Sequence, residues 1–238
     1  VLTVSAEALG TPEAVWRGAG LAALPEVAWG MPRRVVVLAP HPDDEVLAVG
    51  GALHALDADV RIVAITDGEA SHPRSRTITP AELAVRRADE RDVALGRLGI
   101  RAEVVRLGEA DGRVRDAALV PRLIPLVRGA DLCLAPWEHD GHPDHDATGR
   151  AAIAACAAAG VALVRYPVWA WHWAEPDTLA LGQARKVTLS PAAQRAKAAA
   201  IAAYRSQIAP LSAAPGDEAI LPPAVLARFA RPFEVVLL

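Results

Sequence analysis

The chain has 238 residues, a formal charge of −3 with both signs scattered along it, and a hydrophobic fraction of 53%. That length buries a sizeable core, and the charge balance excludes the basic stripe a nucleic-acid partner requires. The longest apolar run, 151–164, is broken by Gly160 and falls short of the roughly 20 residues of a membrane span, so no membrane span is expected. No charged-then-apolar leader opens the sequence, and a cytoplasmic location is the expectation. Cys133 and Cys156 lie in apolar surroundings and are expected to pack in the interior rather than to bridge or bind metal. Abundant arginine, alanine and proline, with lysine only at 186 and 197, point to a GC-rich bacterial source.

Residues 1–33 read as a cover of one or two short helices. From residue 34, short β-branched runs alternate with helical patterns, which predicts βαβ units. Strands are expected at 35–39, 60–66, 103–107, 131–135 and 161–166, with helices at 45–56, 80–98, 117–127 and 144–159 between them. Pro121 and Pro125 should make the third of these helices irregular. Further on, 184–189 reads as an edge strand, 191–208 as one helix capped by Ser190, and FEVVLL at the end as a last strand. The resulting expectation is an α/β fold: a Rossmann-like, mostly parallel sheet of order about 3-2-1-4-5 plus edge strands, with helices on both faces. It is taken as one domain, with a catalytic core at 34–210 and a C-terminal loop and strand at 211–238.

Two polar blocks stand where a strand gives way to a helix: PHPDDE at 40–45 and GHPDHD at 141–146. In open parallel sheets ligands bind beyond the carboxyl ends of the strands where the strand order reverses, and both blocks would meet there. His41 and Asp44, three apart at a helix start, can converge on one point that His145 completes from across the crevice. Two imidazoles and a carboxylate suit one Zn²⁺ per chain, a site other divalent metals could also take, with a fourth position left for water. Zinc lowers the pKa of that water to about 7, which supplies hydroxide for attack on an amide carbonyl. Asp43 is then the candidate base; His142 is the candidate to stabilise the oxyanion or protonate the leaving nitrogen; Asp144 is expected to hold the His142 tautomer and raise its pKa.

At these residues the chain resembles the PIG-L/LmbE family of zinc-dependent N-acetylglucosaminyl deacetylases, whose signature pairs an HPDDE-type segment with a later HPDH. The resemblance runs over about 34–210 and includes TDGE at 66–69, Arg87 and Glu90, and the stretch from Lys197 to Gln207. It implies His41, Asp44 and His145 as metal ligands, Asp43 as base and His142 as oxyanion stabiliser or acid, in a hydrolase that removes an N-acetyl group from an amino sugar or a sugar-bearing small molecule.

Substrate contacts are looked for in the loop after strand two, at Glu69, Arg74 and Arg76, and at Trp171 and His172. If 169–173 is extended, Trp169, Trp171 and Trp173 share one face and His172 turns the other way, toward the crevice. His72 is expected to be an ordinary loop histidine, and Arg87 and Glu90 to form a pair tying their helix to the strand-one loop. Two other readings stand beside the deacetylase: a metal-dependent phosphoesterase, which needs a second metal about 3.5–4 Å away, and a non-catalytic sugar-binding module of the same fold. A homo-oligomer is compatible with all three.

Overall fold

The structure is a computed structural model that describes residues 10–179 and 181–238; the first nine residues of the expected N-terminal cover lie outside them. Its framework is a seven-stranded sheet of order β3-β2-β1-β4-β5-β7-β6. The strands are β1 (Arg34–Ala39), β2 (Asp59–Thr66), β3 (Ala102–Glu109), β4 (Leu132–Pro136), β5 (Ala162–Tyr166), β6 (Ala184–Thr188) and β7 (Phe233–Leu237). The first five run parallel in the expected order, and β7 inserts antiparallel between β5 and β6.

The alternation within β1 shows how the sequence builds two layers. Val35 and Val37 face one apolar cluster with residues of α2 (Asp44–Ala55) and α3 (Pro80–Leu98), while Val36 and Leu38 face a second, with α4 (Asp116–Val127) and α5 (Pro143–Ala159). Both faces of the sheet are therefore covered, which is why β1 and β4 read as continuous apolar runs. Cys133 and Cys156 are free thiols buried in the second cluster, as expected.

α3 starts at a full capping box between Thr79 and Glu82 and stops at Gly99, whose φ of 74° suits a residue without a side chain. α4 carries Pro121 and Pro125 inside it without interruption. The expected 191–208 helix divides into α7 (Pro191–Ile201), capped by Ser190, and α8 (Arg205–Ile208), because the chain turns at 202–204 and drives Tyr204 inward. Glu234 of β7 ties three elements together: it accepts from the amides of Gly51 and Ala52 at 2.7 and 2.8 Å and from Lys197 Nζ at 2.7 Å.

Ahead of the sheet, α1 (Glu13–Gly18) clamps the segment that follows β5, which includes the single turn α6 (Ala170–Trp173). Trp16 is fully buried, meets Trp171 edge to face at 4.9 Å and donates its Nε1–H to the Trp171 carbonyl. Glu13 holds Arg231, just after the short helix α9 (Pro223–Leu226), and the Arg231 guanidinium lies 4.3 Å over the Trp171 ring. Removing so large a buried ring leaves a cavity and an orphaned carbonyl, so Trp16→Ala is expected to lower unfolding free energy by about 3–5 kcal/mol, read from denaturant midpoints of the metal-free protein. Among the described residues no helix is long and apolar enough to cross a membrane.

Candidate metal centre

The loop after β1 is pinned by β2: the Pro40 carbonyl accepts from both the amide and the hydroxyl of Thr66. His41 then leaves the strand end and Asp44 opens α2, with the His41 amide donating to Asp44 Oδ2 at 2.9 Å. Across the β1–β4 junction, His142 caps α5 and His145 follows one turn in. The three expected ligands meet. His41 Nδ1 lies 3.2 Å from His145 Nε2 and 3.3 Å from Asp44 Oδ2, which is itself 3.2 Å from His145 Nε2.

That triangle has the size of one face of a tetrahedral zinc site, since metal–ligand bonds of about 2.0–2.1 Å put donor atoms roughly 3.3–3.4 Å apart. The rest of each imidazole fits the same picture. His41 Nε2 faces Asp111 Oδ1 at 3.1 Å and Asp144 Oδ2 at 3.3 Å, and His145 Nδ1 faces Asp140 Oδ2 at 2.8 Å. Carboxylates only accept here, so these nitrogens carry the protons and the lone pairs of His41 Nδ1 and His145 Nε2 turn to the shared point. Burial opposes protonation of both rings, yet Asp111, Asp144 and Asp44 raise His41 well above its ordinary value, and Asp44 with Asp140 pushes His145 up to about 9. Burial also works against ionising Asp44, but His145 and His41 hold it well below the usual carboxylate range. The field at the centre thus favours positive charge, and a divalent cation would satisfy it in place of protons.

Asp111 and Asp140, for which the sequence predicts no role, each support an expected ligand. Asp111 is fixed by exchange with the preceding loop: its amide donates to Glu69 Oε1 and its Oδ2 accepts from Ala70 N, both at 2.9 Å. Asp140 is fully buried and accepts from three successive amides, Val168, Trp169 and Ala170, besides His145. Each stands in a loop beyond a strand's carboxyl end, the only sequence signal that could have found it.

Asp43 is buried beside the triangle, with its carboxylate 3.0 Å from the Arg87 guanidinium. Burial raises it and Arg87 restrains the rise, leaving it at about 6. Arg87 also reaches the carbonyls of Gly68 and Pro42, so it does tie α3 to the strand-one loop, but without Glu90, whose carboxylate instead receives the amide and hydroxyl of Ser206.

The His142 ring lies 4.8 Å from that of His41 and 5.1 Å from that of His145, centroid to centroid. Here the structure corrects the expected partnership. The Asp144 carboxylate turns away from His142 to accept from the amides of Gly112 and Val114 and from His41. It is the Asp144 amide that donates to His142 Nδ1, at 3.2 Å. Asp144 does act to raise His142, as expected, but burial, with His41 and His145 next in effect, outweighs it and pushes His142 down to about 3. A neutral ring with Nδ1 accepting keeps its proton on Nε2, as a hydrogen-bond donor.

The substrate contacts expected from sequence fare less well. Glu69 braces Asp111, and Arg74 and Arg76 are exposed with no side-chain contact joining them to the triangle. Trp171 and His172 are both buried, Trp171 against Trp16 and Arg231, His172 facing Arg228. The segment closes into a helical turn instead of extending, so Trp169 and Trp173, four apart, share a face and Trp171 points inward. His72 is held by Ser71 and the Glu218 carbonyl, away from the donors, as expected of an ordinary loop histidine.

With this geometry in view, residues 36–156 match the family described as PIG-L, GlcNAc-PI de-N-acetylase. The chain belongs to the PIG-L family. The matched region contains every donor of the triangle, Asp43, His142 and the supporting carboxylates. The chain is 29% identical over 138 residues to a diacetylchitobiose deacetylase of Thermococcus kodakarensis; the match takes in 54% of this chain and about half, 51%, of that protein's length. Two solved structures share the fold. The A40926 pseudoaglycone deacetylase Dbv21 superposes with a TM-score of 0.62 at 24% identity, over 87% of this chain and 97% of its own. N,N'-diacetylchitobiose deacetylase from Pyrococcus horikoshii gives 0.60 at 22%, over 73% and 70%.

Proposed function

We propose that this PIG-L protein is a zinc-dependent deacylase that removes the N-acetyl group of an amino sugar or an amino-sugar glycoside. The observation that carries the proposal is the donor triangle of His41, Asp44 and His145 with a buried carboxylate and a neutral imidazole beside it. The family description and the activity named for the Thermococcus relative support an N-acetyl sugar as substrate.

Zinc held by the triangle would supply Lewis acidity, polarising an amide carbonyl and lowering the pKa of water. The chain's own residues do the rest. Asp43, ionised above about pH 6, accepts the proton of the attacking water. Arg87 orients that carboxylate and restrains its pKa. His142 offers its Nε2–H to the carbonyl oxygen as charge develops there, acting as a neutral donor rather than an acid. The proton gathered by Asp43 is then the one available to the departing nitrogen. Asp111 and Asp144 steady His41, and Asp140 steadies His145.

One observation favours the two-metal phosphoesterase: His41, Asp111 and Asp144 form a second group whose potential ligand atoms lie within 4.8 Å of one another. A metal there would bind His41 through Nε2 while Nδ1 serves the first site, which demands a doubly deprotonated imidazole. The simpler account is that Nε2–H donates to both carboxylates.

The direct test measures acetate release from a panel of N-acetylated glucosamines and their glycosides. Release is expected with one zinc per chain, lost with a chelator and restored by adding zinc. No release from any N-acyl substrate, or a requirement for two metals per chain, would overturn the proposal.

A further inference from the structure

One face of α6 remains without a task in the chemistry above, although it borders the centre. The Trp169 ring stacks on the His142 ring at 6.1 Å with an interplanar angle of 24°, and it is only half-buried. Trp173 is 45% exposed, although large apolar side chains are ordinarily covered. Its position is fixed all the same: Nε1–H donates to the Asp140 carbonyl at 2.6 Å, and the ring lies flush on the backbone of Gly141, where a Cβ would come within 2.2 Å of Nε1. A tryptophan held by its own N–H against a glycine, with nearly half its surface in water, is a prepared contact surface.

Both rings are also tied to the centre by one residue. Asp140 accepts the Trp169 amide and the His145 imidazole on its side chain and the Trp173 indole on its carbonyl. His142 is the group proposed above to meet the substrate carbonyl, and the aromatic face lies directly beside it.

We infer that Trp169 and Trp173 form an aromatic subsite for a flat apolar group carried by the sugar, an aryl aglycone, next to the scissile amide. This rests on the deacylase reading and narrows its substrate class: glycosides with such a group are preferred over the free sugar or a methyl glycoside. Aromatic side chains so placed favour a flat ring as partner.

The test separates this inference from the deacylase reading by using ligands with no acyl group to lose. Calorimetric titration of the zinc-loaded protein compares phenyl β-glucosaminide with methyl β-glucosaminide. The phenyl compound is expected to bind about tenfold more tightly, which corresponds to about 1.4 kcal/mol. That ratio should fall to nearly one in Trp169→Ala and be reduced in Trp173→Ala, while Trp169→Phe keeps most of it. Trp173 is nearly half exposed, so its variant remains informative if Trp169→Ala folds poorly. A phenyl-to-methyl ratio near one in the unmodified protein, or a ratio that both alanine variants leave intact, would overturn the subsite. A failure of the deacylase reading shows separately, as absence of acetate from the corresponding N-acetyl glycosides.

Discussion

In the Asp43→Asn protein, zinc stays bound at one per chain while turnover falls by a factor on the order of 10²–10⁴. The two outcomes are separable because Asp43 is next to a ligand without being one. The proposed ligand atoms are His41 Nδ1, Asp44 Oδ2 and His145 Nε2, whereas the Asp43 carboxylate is engaged by Arg87. Asparagine keeps the shape and can still accept from the guanidinium, so the fold around it should hold; it cannot take a proton from water. The unmodified protein is expected to give the matching pH signature. Burial makes the charged form of Asp43 harder to reach, and its pKa rises to about 6. Below that pH the carboxyl is protonated and too weakly basic to take the water proton; above it the base is ready. Turnover should therefore climb with one proton through about pH 6, and the residual activity of Asp43→Asn should not show that limb. Zinc content by atomic absorption and initial rates across pH decide the matter. If Asp43→Asn keeps full activity, the base is elsewhere.

The second large effect is expected at Asp140, a residue that touches no substrate. Asp140→Ala removes the acceptor that holds His145 Nδ1–H, and losses of this kind cost roughly 10–100-fold in metal affinity. It also strips the amides of Val168, Trp169 and Ala170 of their acceptor inside the protein, at about 1–3 kcal/mol for each group left without a partner. Asp140→Asn divides these consequences. Its carbonyl oxygen can still accept from Val168 and Ala170, while its amide group has no lone pair for His145. The alanine variant should thus lose zinc and the partner of all three amides, the asparagine variant zinc and the partner of the Trp169 amide alone, so its loss of stability is the smaller. Chelator competition and denaturant unfolding measure the two quantities independently. Unchanged zinc affinity in both variants would show that His145 needs no carboxylate behind it.

The particular residues show what a sequence can and cannot disclose. The β-branched runs that became β1, β2 and β4 are legible because a strand buried on both faces must be apolar throughout. Their order is that of the doubly wound sheet to which the βαβ alternation points, and it places His41 and His145 on facing sides of one crevice. Asp111 and Asp140 were hidden because a lone carboxylate in a loop carries no periodicity, and only the assembled sheet shows which imidazole it meets. Closeness in sequence pairs Asp144 with His142, but the helix start directs its amide there and its carboxylate to His41 and the loop after β3. At Trp171 and His172 the period misleads: the alternation of tryptophans suits a strand, whereas the chain makes a turn of helix, with Asp140 gathering three consecutive amides at its start.

The enclosed hydrogen bond from His145 Nδ1–H to Asp140 has a spectroscopic consequence. Both side chains are fully buried, so this proton exchanges with solvent only when the structure opens. It should give a separate, far-downfield proton resonance that persists in water and moves as His145 Nε2 exchanges a proton for zinc. Metal loading can then be followed on a single atom, in solution, without substrate and without measuring catalysis.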